Sequence, residues 1–166
     1  MNSNENVLAY SDLVKTRESC KKQDHQKLCK SFYDLASLYF GVARHTSLNF
    51  KWEPVTLSNI AFSCELFLKS LLYGFETKFN NIHELERLFK LLPTDVQDYI
   101  AQNIAIENRD TEFPLRLHEQ NKAFEIYRYM SELKGIIGDP IFLLAFADIL
   151  KFLCNRLFIE GTKSEG

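Results

Sequence analysis

CELFLKSLLYGFETKFNNIHELERLFKLLP, residues Cys64–Pro93, holds two apolar stripes at helical spacing joined by a polar linker. Leu57, Ile60, Ala61, Cys64, Phe67, Leu68, Leu71 and Phe75 keep a 3.6-residue period, and Pro54 suits the first turn of that helix. Leu85, Leu88, Phe89 and Leu92 form the apolar face of a second, short helix over Ile82–Leu92, which Asn80 or Asn81 would cap and Pro93 would stop. Glu65, Lys69, His83 and Arg87 punctuate the two stripes. Glu65 and Lys69 stand four apart with the acid first, the favoured order for an intrahelical ion pair. His83 opens the second helix, where the helix dipole disfavours a cationic imidazole; a neutral ring there can pack, cap or move a proton. The four together read as structural polar marks of two packed helices.

The helical pattern extends in both directions. Asn6–Glu18 reads as a short helix, and Leu28, Phe32, Leu35, Ala36 and Tyr39 form one face of a helix of about 20 residues that ends among Gly41–Asn49. Beyond Pro93, Thr94 and Gln97 match a capping box that starts Asp95–Ile106. Arg109–Pro114 reads as a polar connection, followed by a long helix from Leu115 to Lys134 that Gly135 and Gly138 close. Asp139-Pro140 is an N-cap with proline at the first position, launching a last helix over Ile141–Phe158 that is apolar nearly all round. No stretch alternates with period two for long. The fold expected is all-α, an up-and-down bundle of five to seven helices, with residues 1–166 as a single domain and 1–5 and 161–166 as frayed ends.

Composition narrows the class without naming a function. With 46% apolar and 25% charged residues, 166 residues suffice for one domain with a real core. The net charge of −2 demands no nucleic-acid partner, but it is unevenly spread. Between Lys15 and Lys30, six basic residues (Lys15, Arg17, Lys21, Lys22, Lys27, Lys30) stand against two acidic ones, giving +4 and leaving −6 elsewhere. Such a segment can meet RNA or an acidic protein face, and these six are the candidate RNA-binding residues. The four cysteines, at 20, 29, 64 and 154, show no metal spacing, so no metal and no cofactor is expected, and Cys64 and Cys154 read as small buried hydrophobes. The start lacks a basic n-region before an apolar run, and Ile141–Leu150 is too short to span a bilayer, so a reducing, cytoplasmic setting without membrane contact is expected.

The chain carries no GxSxG, HExxH, CxxC or glycine-rich phosphate loop. Its strongest polar constellation is His118, Asn121, Glu125, Arg128 and Glu132, which share one face of the long helix expected there.

AFSCELFLKSLL, then HELERLFKLLP, then AFEIYRYMSE resemble the HEPN superfamily (higher eukaryote and prokaryote nucleotide-binding domains), over roughly Leu28–Leu157. The resemblance implies a helical bundle that often dimerises and that serves, in many members, as a metal-independent ribonuclease in prokaryotic defence, toxin–antitoxin or RNA-processing systems. Their active set is an Arg and a His with four to six residues between them, the His acting on a hydroxyl proton and the Arg on phosphate charge. No arginine in this chain precedes a histidine at that spacing: Arg17–His25 and Arg109–His118 are too far apart, Arg116–His118 and Arg44–His45 too close. The expectation is therefore an HEPN-like domain that pairs with itself, a helical protein or RNA. An atypical ribonuclease site built from His118, Arg116 and Arg128 is the alternative.

Overall fold

In this computed structural model, placement is described for Leu13 and for residues 23–47, 53–104, 109–121 and 138–159. These residues are all-helical, with no strand among them. In chain order the helices are α1 (Gln23–Thr46), α2 (Glu53–Gly74), α3 (Leu85–Lys90), α4 (Thr94–Asn103), α5 (Arg109–Glu119) and α6 (Pro140–Cys154), the last continuing into one π-helical turn, Asn155–Ile159. The short helix expected over Asn6–Glu18 lies outside the described residues except for Leu13, which is helical and buried.

α2 is the central element. Its Leu57, Ile60, Ala61, Cys64, Phe67, Leu68, Leu71 and Leu72 are all fully buried. α1 lies antiparallel against it: Thr56 bonds Thr46 near one end, Tyr39 meets Phe62 and Phe40 meets Phe67 in the middle, and Ser70 bonds Cys29 near the other. α6 packs on another side, parallel to α2, with the Cys64 thiol donating to the Leu143 carbonyl and the Cys154 thiol to the Phe67 carbonyl. By length and composition α2 could cross a bilayer, but most of it is buried within the fold, as the central helix of any packed core would be.

α3, α4 and α5 lie in the long crossover between α2 and α6. A ring cluster ties them to the core: Phe113 of α5 packs on Phe89 of α3 and on Phe142 and Phe146 of α6, with centroids 5.3–6.0 Å apart. Asp139 caps α6 as its sequence suggests, its carboxylate accepting from Phe142 N at 2.9 Å ahead of Pro140.

Four expectations need correction. The inward face of α1 is Cys29, Ala36, Phe40 and Ala43; Leu28 and Leu35, expected inside, face solvent. α3 starts only at Leu85, and Glu84 occupies its N-cap with no capping bond from its side chain, so Asn80 and Asn81 do not cap this helix. α4 begins after Pro93, and Gln97 turns back to donate to the Lys90 and Leu92 carbonyls, so no capping box forms with Thr94. Arg109–Pro114 is helix, with Pro114 inside α5; burial of Phe113 and Leu117 on either side of the proline holds the helix across its missing hydrogen bond.

Gly74 ends α2 beneath the Phe158 ring. A Cβ there would lie 2.6 Å from a ring carbon, and the ring is itself wedged edge-on against Phe75. Gly74→Ala is expected to destabilise by about 1–3 kcal/mol through overpacking, more than the helix propensity alanine gains. A lower urea midpoint than wild type, with m unchanged, checks this.

Candidate functional site

Glu65 lies on α2 among Ala61, Phe62, Leu66 and Leu68, and its side chain is 2% exposed. Burial of a carboxylate this deep requires compensation. Lys69, one turn along, donates to Oε1 at 2.7 Å from a position only 11% exposed. His83 reaches the same Oε1 with Nδ1 at 2.9 Å from the segment that precedes α3. Oε2 is equally buried and meets no donor among the described residues. The carboxylate oxygen can only accept, so Nδ1 carries the ring hydrogen. The fourth residue of the expected group, Arg87, turns away and pairs with Glu84 at 3.2 Å. Glu84 is held below the usual glutamate range by backbone bonding at its own amide and then by Arg87.

A second cluster joins α3 to α5. Glu86 pairs with Lys90, four residues on, through Oε1 and with His118 Nδ1 at 2.8 Å through Oε2. Lys90 and then His118 hold Glu86 below its ordinary 4.5. Asn121 fastens the start of α3, its carbonyl accepting from Leu85 N and its Oδ1 from Glu86 N. Beside this cluster, a cleft of about 280 Å³ opens among α3, α4 and α5, its apolar wall formed by Phe89, Phe113 and Leu117.

Arg116 and His118 do not converge. They are two residues apart on α5 and so point to different sides. Arg116 pairs with Glu112 at 2.7 Å and Asp139 at 2.9 Å, while His118 stays with Glu86, mostly exposed. The helix carrying them ends at Glu119 and turns at Gln120–Asn121, so the polar stripe expected from His118 to Glu132 does not run along one continuous helix. Arg128 lies outside the described residues, as do Lys15, Arg17, Lys21 and Lys22. Lys27 and Lys30 are exposed near the start of α1, where Lys30 pairs with Asp34 at 2.6 Å.

No group of three His, Cys, Asp or Glu residues among the described residues could hold a metal. Burial pushes the Cys29 thiol up to about 11 and the Cys64 and Cys154 thiols further up, so all three are inert packing groups at neutral pH. The Glu86–Lys90 pair was not among the expected site residues, although it has the same acid-first, four-residue spacing as Glu65–Lys69.

No protein-family model, curated protein or solved structure matches the chain.

Two substitutions probe these clusters. Lys69→Met leaves Glu65 buried without its ammonium partner and is expected to destabilise by about 3–5 kcal/mol; adding Glu65→Leu is expected to restore most of that loss. Urea denaturation of the single and double variants decides it. The depressed Glu86 group stabilises the fold fully above its ordinary 4.5, and that contribution is lost as pH falls through the lower folded value. Glu86→Gln should flatten the acid limb of the stability–pH profile, lowering stability at neutral pH by about 1 kcal/mol or less.

Proposed function

We propose that the chain is an HEPN-like helical module, of the kind used in prokaryotic defence or toxin–antitoxin systems, that works by pairing through α1 with a second copy of itself. The observation that carries this reading is the row of apolar side chains on the outer face of α1. Leu28, Leu35, Leu38 and Val42 are 41%, 42%, 69% and 47% exposed. Their spacing of seven, three and four residues places them on one coiled-coil-like seam. Such a seam is self-complementary, so the same patch on a second copy can cover it, as a two-fold interface requires. α1 has 24 residues and is therefore about 36 Å long. The apolar row takes up about 21 Å of it, from Leu28 to Val42, so a two-helix seam there lies at the small end of interface sizes, below roughly 1,200 Å² in total, which implies weak, reversible pairing.

Ribonuclease action through His118, Arg116 and Arg128 has less support, because Arg116 and His118 are held apart by separate acidic partners. Sedimentation velocity across the micromolar range tests the leading reading. Wild type should show a concentration-dependent dimer. Leu35→Glu with Leu38→Glu should weaken it by about tenfold or more while leaving the thermal midpoint of the monomer unchanged. A monomer at every concentration would end this reading. Metal-free incubation with labelled RNA should show no cleavage that depends on His118 or Arg116.

A further inference from the structure

The fold contains two Glu–Lys–His groups, and comparison singles one out. In each, a glutamate bonds the lysine four residues on and the Nδ1 of a histidine from another segment. Around Glu86 the two donors take different oxygens, and the side chain remains in partial contact with solvent. Around Glu65 both donors crowd onto Oε1, while the enclosed Oε2 is left without one among the described residues. A buried, half-bonded carboxylate is destabilising relative to an apolar side chain of similar volume. A donor serving only as a staple would gain more by bonding Oε2. The imidazole above this carboxylate, by contrast, is 56% exposed.

We propose that Glu65 and His83 form a proton-transfer dyad in which His83 Nε2 takes a proton from a water or a ligand hydroxyl at the surface of the α2–α3 connection, with Glu65 as its positioning residue. Nδ1 is turned toward the buried carboxylate and holds the ring hydrogen, which leaves the lone pair of the neutral ring on Nε2, on a side chain that is more than half exposed. In the step, the O–H bond breaks, the oxygen keeps its electron pair as the nucleophile, and the proton forms an N–H bond at Nε2. The imidazolium so formed faces the Glu65 carboxylate, which offsets its charge and keeps no proton for itself. Lys69 bonds the same oxygen and stops the carboxylate from rotating away. Glu84 and Arg87, close to His83 in sequence, pair with each other. The dyad lies on the α2–α3 side and does not rest on the self-pairing of α1.

Hydrolysis of p-nitrophenyl acetate, with water as the hydroxyl donor, reads this out. Wild type and His45→Gln, an exposed control on α1, should hydrolyse the ester on the order of tenfold faster than His83→Gln, and the wild-type rate should fall in D₂O. Glu65→Gln should lower the rate and displace the inflection of the pH–rate profile, a change that a purely structural glutamate would not produce. Nitrogen-15 NMR of the wild-type protein should place the neutral-ring hydrogen of His83 on Nδ1. The proposal is overturned if His83→Gln is as fast as wild type, if a folded Glu65→Gln keeps both rate and profile, or if the hydrogen sits on Nε2. Should Glu65→Gln not fold, the His83 variant and the NMR assignment decide alone.

Discussion

The enclosure of α2 governs much of the arrangement around it. With α1 on one side and α6 on another, the stretch of this helix from Ile60 to Leu72 is largely shut off from water, and a carboxylate within it must bring its counter-charge along. Lys69 provides that from the same helix. His83 comes from 18 residues away, so satisfying Glu65 also fixes where the chain passes before α3. α3 has six residues, too few to be stable as an isolated helix, and its placement comes from tertiary bonds: His83 just ahead of it, Asn121 at its first amides, and Leu85, Leu88 and Phe89 in the core.

The charged groups of the described residues thus fall into small, mostly self-contained sets. Glu86, Lys90 and His118 make one at the α3–α5 contact; Glu112, Arg116 and Asp139 make another, which pins α5 to the start of α6. Arg44 and Asp148 join α1 to α6 at the surface. Exposed pairs of this kind contribute little stability individually, but they orient the elements that carry them. The Glu65 set differs because its acid is inside the core while its imidazole is outside.

What was legible depended on how local the cause was. The α2 period, the Asp139–Pro140 cap and the Glu65–Lys69 pair all arise within one helical turn or one helix, and each is present. The facing of α1 was not legible because two arcs of that helix are apolar: one through Leu28, Leu35 and Leu38, the other through Cys29, Ala36 and Phe40. Periodicity says that an apolar face exists, and only the partner helix decides which arc is buried. The break after Glu119 has no glycine or proline to announce it; Gln120–Asn121 turns where Asn121 meets α3, a contact 35 residues distant in sequence. The depth of Glu65 and the reach of His83 likewise depend on long-range packing that neither motif encodes.

The parallel course of α2 and α6 has a consequence for how the chain reaches this structure. α1 and α2 are antiparallel neighbours joined by a short connection, so their contacts close small loops and can form early. α6 can take its place on α2 only after the chain has closed a loop of about 65 residues, and each such closure must be entropically repaid by the contacts it makes. Until then, the flank of α2 that meets Leu143 and Cys154 is open. A nascent chain would therefore hold an α1–α2 hairpin with one oily side uncovered until α6, made about 65 residues later, seals it.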